Sequence, residues 1–468
     1  MCVQGKYYTY ADVQKRVAGI GAQIAKHGER IGVIIDDSVE TYAAIIAILL
    51  AGKTYIPLHP GHPADRIALI LEQGDISVAC MAGQDIAAEG LQRIHTAGCQ
   101  WQGDMPATGI SSLADKNAYI LFTSGSTGTP KGTPISYSHL DAFVQAFHAL
   151  GYNISEEDRY LQMFELTFDL SVMSYLIPLC TGACVYTVPE KGMKYTNIYG
   201  ILEAYQITFA LMVPSILAYL RPYFEEIDLP ALRYSLFCGE ALHEDIVHEW
   251  MRCAPNAAME NVYGPTEATI FCTRYSIPRK GNIVSANGIV CIGLPMAGVN
   301  TLVTDEDGIA TTRGELCLSG QQVTNGYLDA EKTKAAFFTH DDERYYRTGD
   351  IVQLLDDGNH LYCGRADHQV KIQGFRVELG EIEHHARSAY QCNAVAVVHT
   401  TERGLSQIHI VLEHTPLDSE DVIGMLRTKL PHYMVPAFVQ YMPSFPLNVN
   451  GKTDRKAIAQ MIREGVWA

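Results

Sequence analysis

The sequence is short of paired cysteines, of positive charge and of long apolar runs. Its 12 cysteines include no Cys-x-x-Cys pair, and no histidine cluster adjoins the two nearest ones, Cys180 and Cys184. The pattern therefore indicates neither a disulfide framework nor a metal-binding cluster. Scattered cysteines of this kind are typical of a reducing cytoplasm.

The 35 basic residues are outnumbered by 52 acidic ones, which gives a net charge of −17. This excess disfavours nonspecific binding to nucleic acid or to an anionic membrane. The longest apolar run, Ala43 to Ala51, is too short to cross a bilayer, and the N-terminus lacks a signal-peptide pattern. We expect a cytoplasmic protein with no nucleic-acid or membrane partner, and the sequence carries no sign of its oligomeric state.

The chain of 468 residues is long enough for at least two domains. Between about 30 and 290, β-rich runs alternate with helical patterns, which predicts an α/β fold with mainly parallel sheets. Residues 291–363 change to short strands and tight turns, typical of a small barrel-like part. The remainder has the pattern of a small α+β domain, so we place the domains at 1–364 and 365–468.

Residues 121–132 read Leu-Phe-Thr-Ser-Gly-Ser-Thr-Gly-Thr-Pro-Lys-Gly and continue an apolar run that predicts a strand. Small residues let backbone N–H groups surround an anion, and hydroxyls and a lysine add donors. The spacing differs from a Walker loop, because Pro130 occupies the place of its second glycine. A flexible linker would not usually begin on a buried strand. The run predicts another kind of phosphate loop, with Thr123, Ser124, Gly125, Ser126, Thr127 and Lys131 as its donors.

Five further motifs follow the loop along the chain. They are Phe168-Asp-Leu-Ser171, Asn261-Val-Tyr-Gly-Pro-Thr-Glu267, Tyr346-Arg-Thr-Gly-Asp350, the run 364–383 and Asn450-Gly-Lys-Thr-Asp-Arg455. In this order and spacing, the six motifs resemble those of the adenylate-forming superfamily: adenylation domains of nonribosomal peptide synthetases, acyl-CoA synthetases and luciferases. The resemblance covers nearly the whole chain.

The resemblance implies a large N-terminal domain of αβαβα subdomains with a small distorted β-barrel, followed by a small mobile α+β domain. It also implies an enzyme that condenses a carboxylate with ATP, assisted by Mg²⁺, into an acyl-adenylate and pyrophosphate. Most members then pass the acyl group to a thiol. Fixed donors and cations around the phosphates are what lower the barrier to such a transfer.

The family's nucleotide contacts fall on named positions of this sequence. By resemblance, Thr123 to Thr127 hold the β- and γ-phosphates, Lys131 neutralises the pyrophosphate, and Glu267 holds Mg²⁺. Asp350 and Arg365 hold the ribose. Taken alone, Glu267 would be a solvated charge and Asp350 a turn carboxylate. The other expected nucleotide contacts are Gly239, Glu240, Asn261, Tyr263, Gly264 and Thr266.

Three positions near the C-terminus carry roles in the same resemblance. Lys452 bridges the substrate carboxylate and the α-phosphate, Asp367 is the hinge of the small domain, and Gly374 then faces the incoming thiol. Hinges need only a few residues that absorb a backbone change. Taken alone, Lys452 would be a surface charge and Asp367 part of a linker.

Asp169 bears on the kind of acid that is activated. Family members that activate amino acids carry Asp here to pair with the α-ammonium group, whereas beside an acyl chain it would be a buried charge without a partner. The alternative is a helix N-cap before Leu170. The projected pocket has no second charge and some bulky members, which implies a small neutral amino acid. Its members are Leu170, Met173, Leu211, Leu236, Cys238, Val262, Ile270 and Phe271.

Within the superfamily, the chain looks most like the D-alanine–D-alanyl carrier protein ligases, through Phe168–Met173, Leu236–Glu240 and Glu381–His385. That subfamily has a cysteine at the position of Cys238, associated with preference for the D-enantiomer. Packing in the core explains Cys238 equally well. The expected substrate is therefore alanine, including D-alanine, or glycine.

The sequence has no Gly-Gly-x-Ser phosphopantetheine attachment motif. We therefore expect the acceptor to be the thiol of a separate carrier protein. An acyl- or aryl-CoA synthetase is the alternative, and it would require Asp169 to be structural. A noncatalytic nucleotide-binding regulator is disfavoured, because Lys131, Glu267 and Lys452 are all present.

Overall fold

The computed structural model describes residues 1–99, 113–125, 129–367, 369–401, 403–447 and 453–465. Its largest sheet has nine strands in the spatial order β17-β14-β13-β12-β11-β9-β10-β1-β2. The six strands from β1 to β13 in that order run parallel, and antiparallel pairs close both edges. The strands are β1 (Cys2–Val3), β2 (Lys6–Tyr7), β9 (Arg159–Gln162), β10 (Cys184–Thr187), β11 (Phe209–Met212), β12 (Tyr234–Phe237), β13 (Ala258–Tyr263), β14 (Thr273–Ile277) and β17 (Leu294–Pro295).

A second sheet has six strands in the order β6-β5-β3-β4-β7-β8, and only the β7–β8 pair is antiparallel. Its central strands are continuous apolar runs; all five residues of β4, for example, are buried. Such runs are typical of parallel strands covered on both faces. The strands are β3 (Arg30–Ile34), β4 (Thr54–Leu58), β5 (Val78–Met81), β6 (Gln92–His95), β7 (Asn117–Thr123) and β8 (Lys131–Ser136).

Eight helices of the described chain belong to these two sheets, and one continuous hydrophobic core joins residues of both. Several begin at side-chain caps; Ser38, for example, accepts a hydrogen bond from the backbone N–H of Thr41. The helices are α1 (Tyr10–Ile24), α2 (Val39–Leu50), α3 (Ala64–Gly74), α4 (Tyr137–Ala149), α5 (Leu170–Thr181), α6 (Lys194–Ala204), α7 (Pro214–Leu220) and α8 (Glu244–Cys253).

A five-stranded antiparallel sheet follows, curved as a half-barrel, after the short hairpin of β15 (Ser285–Ala286) and β16 (Ile289–Val290). Two of its features have no counterpart in the sequence prediction of short strands: β21 spans 12 residues, and helix α9 (Ala330–Ala336) lies between strands. The strands are β18 (Val299–Thr304), β19 (Arg313–Gly320), β20 (Phe337–His340), β21 (Glu343–Leu354) and β22 (His360–Arg365).

The C-terminal part has a hydrophobic core of its own, which includes Val377, Ile382 and Ile410. It contains a two-stranded ribbon, a three-stranded sheet and three helices within the described residues. The elements are β23 (Gln369–Ile372), β24 (Phe375–Glu378), α10 (Leu379–Tyr390), β25 (Ala394–Thr400), β26 (Ser406–Glu413), α11 (Ser419–Arg427), β27 (Phe438–Met442) and α12 (Arg455–Glu464).

The architecture confirms the predicted α/β fold with its half-barrel. The boundaries 1–364 and 365–468 stay predictions. Over the ranges given above, no helix combines the length and the apolar character that crossing a bilayer requires.

Candidate active site

The predicted phosphate loop joins β7 to β8, and Thr123 at the end of one strand pairs with Lys131 at the start of the other. Gly125 allows the tight course of the chain, because a Cβ atom there would lie 2.1 Å from the carbonyl oxygen of Thr129. Ser126 and Thr127 lie outside the described residues. Strand β8, which begins at Lys131, is thus the edge strand of the six-stranded sheet, and it packs against the short helix that follows β13 of the larger sheet.

Glu267 is fully buried in a short 3₁₀ helix, Thr266–Ala268, that follows β13. Arg376 donates to both carboxylate oxygens at 3.0 Å, and the Tyr327 hydroxyl donates to one of them at 2.5 Å. Burial opposes ionisation of this carboxyl, but Arg376 and the Tyr327 hydrogen bond outweigh it and lower the pKa of Glu267. Glu267 is thus held as a carboxylate at pH 7.

The chemistry of Glu267 fits the Mg²⁺ that the family implies. Proteins commonly bind this ion through one or two carboxylates, with substrate phosphates and water as the other ligands. In the described ranges, no group of three or more His, Cys, Asp or Glu side chains could hold a metal by itself. A single buried carboxylate near Lys131 matches a metal that arrives with a nucleotide.

A narrow cavity of about 30 Å³ lies at the carboxyl ends of β12 and β13, lined by Gly239, Glu240, Asn261, Tyr263 and Lys371 among others. Open α/β sheets bind their ligands at this edge. The side-chain amide of Asn261 donates to the carbonyl of Cys291 at 2.9 Å, and the oxygen of the same amide is an acceptor of the kind that binds an adenine amino group. The Tyr263 ring offers a stacking face.

The predicted ribose contacts lie together. Asp350, 2% exposed, accepts from the Tyr263 hydroxyl at 2.6 Å and from Arg365 at 2.8 Å. Arg365 also donates to both oxygens of Asp367 at 2.7 Å, so the predicted hinge residue is tied to the predicted ribose pair. The arrangement brings three separately predicted residues into one hydrogen-bonded group.

Asp169 is 3% exposed and lines a second cavity of about 30 Å³ with Thr266, Cys238 and Gly264. Burial raises its pKa to about 7, against the opposing effect of the Thr266 hydroxyl. One oxygen, Oδ2, has no hydrogen-bond partner in the part of the chain that the structure describes. Asp169 does occupy the N-cap position of α5, but its side chain makes no capping hydrogen bond.

The projected specificity residues separate into two groups. Leu170, Cys238 and Ile270 line the Asp169 cavity, and Val262 lines the neighbouring one that contains Asn261. The other four are fully buried in the core around these cavities, as Phe271 is, with its ring 5.1 Å from that of Phe143. They are Met173, Leu211, Leu236 and Phe271.

Gly374 lies at the turn of the β23–β24 ribbon and enters the same site. Its backbone N–H donates to Glu240 at 2.9 Å, and a Cβ atom there would lie 2.5 Å from the Val213 side chain. Lys452, the predicted catalytic lysine, lies outside the described residues, so its place in the site stays a prediction.

Three residues in the site were not predicted from the sequence: Arg376, Tyr327 and Lys371. Arg376 and Tyr327 hold Glu267, and the Lys371 ammonium lies 5.5 Å from the centre of the Tyr263 ring. Arg376 lies 109 residues from Glu267 in the sequence. The only available signal was its position two residues after Gly374, and this says nothing about a partner so far away.

The fold and these contacts define a class: an α/β nucleotide-binding enzyme with its site at the carboxyl ends of parallel strands. Residues 1–328 match the family of AMP-binding enzymes, and the chain belongs to this family. It is an adenylating enzyme and an AMP-forming ligase that uses ATP.

Similar proteins include the D-alanine–D-alanyl carrier protein ligase of Lactiplantibacillus plantarum, 30% identical over 98% of this chain and 95% of that protein. Bacitracin synthase 3 of Bacillus licheniformis is 32% identical over 92% of this chain, which spans only 7% of that protein's length. The crystal structure of the Vibrio cholerae adenylation domain AlmE with glycyl-adenosine-5'-phosphate superposes with a TM-score of 0.85, at 28% identity, over 99% of this chain and 94% of that one.

Proposed function

We propose that the enzyme activates a small neutral amino acid, alanine (including D-alanine) or glycine, and transfers it to the phosphopantetheine thiol of a separate carrier protein. The observation that supports this most is Asp169. A buried carboxylate with an unbonded oxygen is costly unless a cation joins it. The α-ammonium group of an amino acid is such a cation, and a simple acyl chain offers none.

The small cavity beside Asp169 supports a small side chain. Its other lining residues bring no second carboxylate to bind a basic side chain except Asp350, which is already paired with Arg365. The names of two relatives that match nearly end to end agree with this range: one is a D-alanine ligase, and another was solved with glycyl-adenosine-5'-phosphate.

In the adenylation step, a carboxylate oxygen of the amino acid forms a bond to the α-phosphorus of ATP. The bond from that phosphorus to the bridging oxygen breaks, and pyrophosphate leaves with the electron pair. Bound at Glu267, Mg²⁺ would neutralise charge on the phosphates. Lys131 stabilises the leaving pyrophosphate, Asp350 and Arg365 orient the ribose, and Lys452 stabilises charge where the bond forms.

In the second step, the thiol sulfur of the acceptor bonds to the acyl carbon, and AMP leaves with the electron pair of the acyl–oxygen bond. Gly374 lies at the turn that reaches Glu240 in the site, where any side chain would collide with Val213. The similarity to a D-alanine–D-alanyl carrier protein ligase, of whose length this chain covers 95%, supports a carrier-bound thiol as the acceptor.

Amino-acid activation is tested by exchange of labelled pyrophosphate into ATP with a panel of D- and L-amino acids and simple carboxylates. We expect exchange with alanine or glycine and background rates with acetate and benzoate. Asp169→Asn is the matched variant, since it keeps the shape and removes the charge; it should abolish exchange with amino acids. Strong exchange with acetate or benzoate in both proteins would favour a CoA synthetase.

The acceptor is tested separately by trapping the thioester. Purified enzyme, ATP and the best amino acid are incubated with either a phosphopantetheinylated carrier protein or coenzyme A. We expect aminoacyl transfer to the carrier with negligible consumption of coenzyme A. Faster AMP release with coenzyme A than with carrier would contradict the proposed acceptor while leaving amino-acid activation intact.

A further inference from the structure

Three phenylalanine rings connect helix α4 to the residues around the Asp169 cavity. Phe143 and Phe147 lie four residues apart on α4, which places both on one face of the helix, and both are fully buried. The Phe143 ring meets that of Phe271 edge-on, with the ring centres 5.1 Å apart at 87°, and the Phe147 ring lies 6.4 Å from it. Edge-to-face contacts are a preferred geometry of aromatic pairs.

The backbone of Phe271 leaves its ring few places to go. Thr269 and Ile270, which precede it, have φ angles of 55° and 76°, and a Cβ atom at Gly264 would lie 2.4 Å from the Phe271 Cα atom. The ring can therefore change place only by rotation about its side-chain bonds. On one side of the ring, the two phenylalanines of α4 already fill the space, and close-packed interiors resist such a movement.

Helix α4 is anchored at its N-terminus, so Phe143 stands on a firm support. The Ser136 hydroxyl accepts from the backbone N–H of His139 at 3.2 Å, and the His139 ring accepts from the backbone N–H of Ser136 at 3.1 Å. This reciprocal pair is a capping box. The Tyr137 hydroxyl donates to the carbonyl of Leu49 in α2 at 2.8 Å and so fixes the first turn.

We propose that Phe143 is a specificity-determining residue for the amino-acid substrate, because it holds the Phe271 ring in place and so limits the size of the pocket from behind. The inference rests on the proposed function and deepens it by naming what restricts the substrate to a small side chain. Phe271 belongs to the projected pocket and follows Ile270, which lines the Asp169 cavity. Phe143 lies outside the projected pocket, so it is a positioning residue that acts through Phe271.

The size of the Asp169 cavity makes this support consequential. The cavity holds about 30 Å³, and its wall can recede only where the side chains behind it have room. One methylene group too many or too few changes kcat/KM in a hydrophobic pocket by roughly 10- to 200-fold. Phe143→Leu removes the ring edge that meets Phe271, so the Phe271 ring gains space to turn away and the pocket accepts a longer side chain.

The test is pyrophosphate exchange by the full chain with alanine, 2-aminobutyrate and valine. For Phe143→Leu, we expect the ratio of kcat/KM for 2-aminobutyrate to that for alanine to rise about fivefold over the wild type, chiefly through a lower KM for the longer amino acid. A ratio equal to that of the wild type, with alanine still exchanged, overturns the proposal and leaves Phe143 as core packing. Absence of exchange by the wild type with every amino acid would contradict the proposed function instead.

The matched control is Phe237→Leu, which makes the same change at an equally buried position. Phe237 ends β12 between Leu236 and Cys238, and successive side chains of a strand point to opposite faces. Because Cys238 lines the Asp169 cavity, Phe237 points away from it. We expect this variant to keep the wild-type ratio, and a rise equal to that of Phe143→Leu would show that any loosened core relaxes selection.

Two further variants secure the result. Phe143→Met also removes the rigid ring edge, and methionine fills irregular gaps in cores, so this variant tests the same effect if Phe143→Leu does not fold. Phe271→Ala should raise the ratio by itself, and Phe143→Leu added to it should raise the ratio no further, because the ring on which Phe143 acts is gone. An equal effect of Phe143→Leu with and without the Phe271 ring contradicts action through that ring.

Discussion

The fold holds the Asp169 carboxyl group out of water, and one of its oxygens has no hydrogen-bond partner among the residues that the structure describes. Arg376 and the Tyr327 hydrogen bond outweigh burial at Glu267 and lower its pKa. At Asp169 burial is the dominant influence and raises the pKa to about 7. The charge of Lys371, which lines the same cavity, only partly offsets this burial, so an ammonium group bonded to Oδ2 would be favourable, and this is the physical basis for proposing an amino-acid substrate.

The raised pKa predicts a pH profile. Asp169 binds an ammonium group only when ionised, so kcat/KM for the amino acid should fall about tenfold per pH unit as the pH drops below about 7 and level off above it. Initial exchange rates at low amino-acid concentration between pH 5.5 and 8.5 measure this. A profile that stays flat across this range would show that Asp169 does not titrate near 7 and keeps the ordinary aspartate pKa of about 4.

Cys238 is the second residue whose role a single change can decide. It lies fully buried in the Asp169 cavity, where burial raises its pKa to about 12, so the thiol stays neutral and acts through its size. If it selects the D-enantiomer, Cys238→Ala should lower the ratio of D- to L-alanine exchange several-fold, because space opens beside the substrate. An unaltered ratio would leave Cys238 as core packing.

At the scale of elements, the chain between β13 and β14 crosses itself closely. Thr269 and Ile270 adopt φ angles of 55° and 76°, in a region that β-branched residues rarely occupy. A Cβ atom at Gly264 would lie 2.4 Å from the Cα atom of Phe271. Such strain is found where a fold over-determines a functional site, and this segment carries Thr266 and Glu267.

This crossing predicts that Gly264→Ala lowers the free energy of unfolding by about 3 kcal/mol, because backbone atoms have to move apart. The matched variant is Gly200→Ala in α6, where an added Cβ atom meets nothing within 4 Å. Alanine in a helix is favoured over glycine by about 1 kcal/mol, so this control should be neutral or stabilising. Thermal unfolding of both variants is the measurement; equal shifts would argue against the crossing.

Elements were predictable where local pattern decides them. The apolar run before Thr123 predicted β7, and the glycine-rich run after it predicted the phosphate loop, since both depend on neighbouring residues. The helix α9 and the length of β21 were missed. Helix α9 has no buried residue, and β21 contains buried, partly exposed and exposed residues. Neither segment therefore has a hydrophobic periodicity that the sequence could reveal.

At the scale of the whole molecule, the C-terminal part contacts the phosphate loop, with Glu378 3.2 Å from Lys131. The proposed function assigns Lys452 to adenylation and Gly374 to thiol transfer, so we expect the small domain to take different positions in the two steps. Domain rotation of this kind is compatible with a hinge at Asp367, which stays a prediction.

Lys452→Ala tests whether Lys452 acts in the adenylation step but not in thiol transfer. It should reduce amino-acid-dependent pyrophosphate exchange by at least about a thousandfold, because a charge is removed where the bond to phosphorus forms. Thioester formation from a supplied aminoacyl-adenylate should continue near the wild-type rate. Loss of both activities would contradict the use of separate domain positions for the two steps.

The sequence by itself determined the α/β class, the phosphate loop and the motifs from which the family and nearly every candidate residue were read, because these depend on local pattern and on residue type at fixed spacing. Only the tertiary structure decided which residues meet, as Arg376 does with Glu267 and Glu378 with Lys131. It also buried Asp169 and left one of its oxygens without a hydrogen-bond partner among the described residues. Such contacts join positions more than a hundred residues apart, and burial, which sets the charge state of each carboxylate, exists only once the chain has folded.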